Sequence, residues 1–149
     1  MGNLYKTLLA VCFVSICGSS QAESQCDNFL KVLKKLPAHL EFVKCEKIHE
    51  AQTEKLQATY RVLGIHAASV ERHLMLTASM PGLRFVCCAW EPWPNHLKLS
   101  RRGFYKNKNS YDYEVTMYTE ETLIDSREKW REIYYFWVTV ALPLEAPPP

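Results

Sequence analysis

Ile133 to Leu142 reads IYYFWVTVAL, a run without a single charged side chain. A strand with one wet face alternates apolar and polar residues, because successive side chains point to opposite sides of the sheet. Here both alternating sets are apolar. The run therefore predicts a central strand covered on both faces, or one with a partner beyond the domain. A strand of this kind needs a sheet around it, and the rest of the chain must supply the neighbours.

Those neighbours are readable from period and punctuation. Leu40–Ile48 and Gln57–Leu63 carry strand patterns, joined by a short polar loop. Leu83–Trp90 reads as a further strand, and Phe104 and Tyr105 precede a polar turn, KNKNS. Beyond that turn Tyr111, Tyr113, Val115 and Met117 alternate with Asp112, Glu114 and Thr116, which predicts a strand with one buried face. Three segments read as helices. Asp27 is placed to cap Asn28–Leu36, with Phe29, Leu30, Leu33 and Leu36 on one face, and Pro37 ends it. After Gly64, the stripe Ala67, Val70, Leu74 and Ala78 faces a core, with Ser69, Glu71, Arg72 and His73 on the wet side. Thr119 is placed to cap a third helix running to Trp130. The order α-β-β-α-β-β-β-α-β, with mostly short connections, predicts an α+β fold. One compact domain is expected, with a largely antiparallel sheet and helices packed on one face.

The N-terminus bears on compartment. Lys6, an apolar core from Leu8 to Cys17 and the small residues of Ser20-Gln21-Ala22 read as a secretory signal over residues 1–22, cleaved after Ala22. The apolar run is too short to span a membrane. Residues 23–142 are then the domain, and 143–149 a loose Pro-rich tail. Lys6 is the only charge removed, so the formal charge of the whole chain, +2, falls by one. That balance speaks against a dedicated nucleic-acid binder. A periplasmic or secreted protein with no stable membrane insertion is expected.

Export gives the cysteines a meaning. Cys26, Cys45, Cys87 and Cys88 remain after cleavage, an even number in an oxidising compartment. Adjacent cysteines lack the C-x-x-C spacing of zinc or thioredoxin-like sites. Normal disulfide geometry favours two long-range staples, joining Cys26 and Cys45 to Cys87 and Cys88. The alternative pairs Cys26 with Cys45 and leaves a strained vicinal Cys87–Cys88 bond.

Several stretches together carry a resemblance: PAHLEFVKC, LQATYRVLGIHAASVERHL, LRFVCCAWE, REKW and FWVTV. They resemble small exported bacterial proteins grouped as domain-of-unknown-function family 4952, over nearly the whole chain after the leader. The resemblance implies a bacterial periplasmic setting, one compact domain and a family pattern of cysteines. It implies no activity, so no catalytic residue is carried over.

Catalytic signatures are missing. There is no G-x-S-x-G, no H-E-x-x-H and no phosphate-cradling loop, and the chain has five glycines in all. His66 and His73 are too far apart to be neighbouring metal ligands on a helix, and His39, His49 and His96 read as surface residues. Glu120 and Glu121 suit a helix N-terminus better than acid–base chemistry, because adjacent helical residues do not face each other. No metal and no cofactor is expected.

Charge is unevenly spread. Lys98, Arg101, Arg102, Lys106 and Lys108 form a basic segment without an acidic residue, followed by an acidic stretch from Asp112 to Glu132. Trp90 and Trp93 lie just before the basic segment. Aromatic anchors beside basic residues fit a surface that docks an acidic protein. The binding residues expected are Trp90, Trp93, Lys98, Arg101 and Arg102. The function expected is that of an exported, non-catalytic protein that binds another protein, such as a periplasmic inhibitor or immunity-type protein. The alternative is a small secreted enzyme or small-ligand-binding protein whose site is assembled from distant residues.

Overall fold

The computed structural model describes residues 25–95, 99–108 and 110–146. The leader expected over 1–22, His96, Lys98 and the last three residues of the tail lie outside the described residues. Among the described residues, one sheet has the order β1-β2-β7-β6-β5 and is antiparallel throughout. Its strands are β1 (Glu41–Glu50), β2 (Thr53–Leu63), β5 (Gly103–Tyr105), β6 (Tyr113–Tyr118) and β7 (Tyr135–Pro143). A separate hairpin pairs β3 (Leu83–Val86) with β4 (Ala89–Pro92). Helix α2 (Gly64–Thr77), the short α1 (Phe29–Val32) and a 3-10 turn over Arg127–Glu132 complete the α+β domain.

The apolar run becomes β7, the middle strand. Phe136, Val138, Val140 and Leu142 enter the core, beside Ala58, Tyr60 and Val62 of β2 and Val115 and Met117 of β6. Ala67, Val70 and Leu74 of α2 pack onto that layer, as their spacing predicts. The other face of β7 behaves differently. Tyr135, Trp137, Thr139 and Ala141 do not join the core cluster, and surface depressions open over them. β7 therefore has one core face and one partly open face, on which Tyr135 and Trp137 are half-buried while Thr139 and Ala141 are buried. Thr59 and Thr139, each 8% exposed, lie directly opposite each other on that face.

Several local expectations give way to better backbone solutions. The cap of α1 is Asn28, whose Oδ1 accepts from the Lys31 N–H at 3.2 Å, and α1 is a single turn. Tyr60 holds that turn from beneath. Its hydroxyl accepts from Leu30 N and donates to Asn28 Oδ1, both at 3.0 Å, and burial pushes its pKa up to about 12. The β1–β2 connection is only Ala51 and Gln52, both at positive φ, the backbone of a tight hairpin turn. Thr119 caps no helix; its Oγ1 accepts from the backbone N–H of Trp90 at 2.9 Å.

Gly64 shows how closely the layers approach. A Cβ there would run into the backbone carbonyls of Trp130 and Ile133. Two carbonyls fixed by the 3-10 turn cannot swing aside as a side chain would. Gly64→Ala is expected to cost about 1–3 kcal/mol, the usual range for overpacking, read as a lower chemical-denaturation midpoint. An unchanged midpoint would mean that the turn moves away at no cost.

Candidate functional site

The cysteines form one bond. Cys26 is disulfide-linked to Cys45, with a Cα–Cα distance of 5.6 Å, so the two long-range staples are overturned. Cys45 lies on the edge strand β1, whereas the β3–β4 hairpin packs against β6, with β2 and β7 between. Cys87 and Cys88 are free thiols. They do not sit within one continuous strand; they are the two-residue turn between β3 and β4. Their Sγ atoms face each other at 2.9 Å.

The two tryptophans separate. Trp90 is core, 4% exposed, edge-on to Phe85 and Trp130, with its indole N–H donating to Ile124 O at 2.7 Å. A ring so enclosed cannot anchor a partner. Trp93 is half-buried at the surface. The Arg101 guanidinium lies 4.8 Å from its ring centroid and that of Arg84 lies 6.0 Å away. Arg101 also approaches Glu91 at 3.5 Å.

Arg102 is drawn inward. Its guanidinium donates to Glu114 Oε2 at 2.7 Å and Glu50 Oε1 at 3.2 Å, while Lys55 Nζ donates to both carboxylates at 2.8 Å. Two cations and two anions close a ring. Burial works against the Lys55 ammonium, yet the hydrogen bonds it donates to Glu114 and Glu50 outweigh it and raise its pKa overall. The Lys55 bond holds the Glu50 carboxyl below its ordinary range. Further along the segment, Lys106 donates to Asp112 at 2.7 Å. Much of the basic segment's charge is thus matched within the chain.

Register explains the open face. Gln57, Ala141 and Glu114 form one cross-strand row, Thr59, Thr139 and Thr116 the next, and Arg61, Trp137 and Tyr118 a third. Small residues floor a trough, and the charged ring closes one end of it. At the other end Arg61 lies over the Tyr135 ring at 4.8 Å, and Tyr135 neighbours Trp137 at 5.9 Å. A depression lined by Arg101, Arg102, Thr116 and Tyr118 joins this face to the Trp93–Arg101 stack. Beside Trp137 a second depression, of about 270 Å³, is lined by Glu120, Glu121 and Glu132 with Tyr134 and Tyr135.

One pair escaped sequence reasoning. Glu71, expected on the wet side of α2, is 4% exposed. Its carboxylate takes both Arg127 nitrogens at 2.6 and 2.7 Å and the backbone N–H of Leu83 at 2.7 Å. Arg127 also donates to Leu83 O at 2.6 Å and lies over the Trp130 ring at 4.5 Å. Arg127 belongs to the REKW stretch, but nothing in its spacing points to a partner 56 residues earlier.

Among the described residues no helix is long and apolar enough to cross a membrane. No curated protein and no solved structure matches the chain. A family model described as a domain of unknown function, DUF4952, matches residues 15–90. That span contains all of β1–β3, α2 and both cysteine pairs, and ends at Trp90 in β4, so REKW and FWVTV lie beyond it. With half of its length matched, this chain belongs to the DUF4952 family.

Proposed function

We propose that this is an exported, non-catalytic protein that binds another protein through the open face of its main sheet, in the manner of an inhibitor or immunity-type protein. The observation that carries this reading is the partly open second face of β7, where the half-buried Trp137 lies opposite Tyr118 and neighbours Tyr135. The Cys26–Cys45 bond is of the kind formed in oxidising compartments. That supports export to a periplasmic or extracellular destination, and the leader is read from the sequence as ending at Ala22. The matched charges around Lys55 leave no obvious acid–base pair there, which favours binding over catalysis. The partner is a protein with an acidic surface. Its carboxylates meet Arg84 and Arg101, which Trp93 already holds in place, while the aromatic row supplies contact area.

The test is capture of the partner by the tagged chain, followed by surface-binding kinetics. Reversing Arg84 and Arg101 to Glu is expected to slow association about tenfold at low salt, with the effect fading as salt rises. Trp137→Ala is expected to speed dissociation instead. Arg102 is left intact, because its reversal would break the charged ring. Wild-type kinetics in both variants, with the fold retained, would move the interface elsewhere.

A second reading has one observation in its favour. The depression beside Trp137 combines three carboxylates with aromatic rings, a combination suited to a small organic cation. Titration with arginine or choline while following tryptophan emission tests it, and an unchanged emission at millimolar ligand rejects it.

A further inference from the structure

We propose that Cys87 and Cys88 are a redox-active dithiol that exchanges with disulfides and closes into a vicinal bond across the tip of the β3–β4 hairpin. The two sulfurs face each other at 2.9 Å, and Cys87 is exposed. The backbone beneath them is pinned. Cys88 N donates to Val86 O at 2.7 Å, and Thr122 N donates to Cys88 O at 2.7 Å. Cys87 sits at φ 59°, a conformation that hairpin turns normally assign to glycine or asparagine. A cysteine held there places its thiol at the tip, beside its neighbour's, where a second protein or a small disulfide can reach it.

The chain contains its own comparison. Cys26 and Cys45 have their Cα atoms 5.6 Å apart, within the span of an ordinary disulfide, and are joined. Adjacent residues have Cα atoms only about 3.8 Å apart, short of the roughly 4.4–6.8 Å that disulfides prefer. A closed Cys87–Cys88 ring therefore carries strain, and strained, exposed disulfides are the readily reduced ones. One pair stays closed while the other cycles.

The chemistry needs a disulfide, R–S–S–R, as oxidant. The exposed Cys87 attacks as thiolate, forming a Cys87–S–S–R bond and releasing one RS⁻. Cys88 loses its proton and attacks the Cys87 sulfur, releasing the second RS⁻ as the Cys87–Cys88 bond forms. The two electrons leave on the two thiols, which take up the two protons. Cys88 suits the second step. Its hydrogen bond with Cys87, burial and the charges of Cys87 and Glu121 raise its pKa, and joining the Cys87 sulfur to R removes the Cys87 contribution.

The experiment equilibrates the intact protein in glutathione buffers of graded ratio, quenches with N-ethylmaleimide and reads peptides by mass. The peptide holding both cysteines is expected to pass from two maleimide adducts to none, with the loss of two hydrogens. Its midpoint should need a buffer at least about tenfold more oxidising than the one that opens Cys26–Cys45. Cys88→Ser should retain one glutathione on Cys87. Two maleimide adducts in every buffer would overturn the proposal. So would one glutathione on each cysteine, or a midpoint shared with Cys26–Cys45.

Discussion

Glu71→Ala is expected to destabilise the protein by about 3 kcal/mol, the lower end for breaking an ion pair with one buried partner, because Arg127 is itself half in water. The substitution removes an acceptor from the buried Leu83 N–H and the counter-ion from Arg127. It also frees α2 from the start of the β3–β4 hairpin. Arg127→Ala should be at least as damaging, because it leaves a charged carboxylate in the interior. Glu71→Gln should fall between, since it can still accept from Leu83. Urea unfolding, with the slope compared across variants, measures all three. A loss within about 0.5 kcal/mol, the range of ordinary surface changes, would mean that the pair is replaceable by water.

Cys45→Ser is expected to cost about 3 kcal/mol. The Cys26–Cys45 bond closes a loop of 19 residues, and its loss frees that loop in the unfolded chain. For a domain of this size the melting temperature should fall by about 10 °C. Reductant should lower the wild type by the same amount and leave the Ser variant unmoved. Cys87→Ser and Cys88→Ser should change the melting temperature little, because those thiols close no loop. A large further drop on reducing the Cys45→Ser protein would mean that a second bond carries stability.

What was legible follows from what a local pattern can encode. The alternation through β6 and the stripe of α2 each state their element and buried face, because burial repeats with the element's own period; the charge-free run states that β7 is a central strand but not which of its faces is the core face. Turn chemistry was less readable. Ala51, Gln52 and Cys87 occupy positive-φ positions without the usual glycine or asparagine, so the two-residue turns they build leave no signature. Pairings distant in sequence were not readable at all. Glu71 lies among polar residues, a pattern that assigns it to water, and only the fold brings Arg127 to it. Trp90 and Trp93, three residues apart, looked alike as anchors; the sheet against which β4 packs encloses one and leaves the other beside Arg101. The basic segment was visible as composition, but its charge partners lie on β1, β4 and β6.

The Cys26–Cys45 bond also decides how the molecule bears mechanical load. A pull on the chain ahead of Cys26 passes through the sulfurs to Cys45, midway along β1. The segment between them, with α1 and its hydrogen bonds to Tyr60, lies outside the force path. Tension arriving from that end therefore falls on the ladder between β1 and β2, and α1 stays slack for as long as the bond holds. Reduce the bond, and the same tension falls first on a single helical turn.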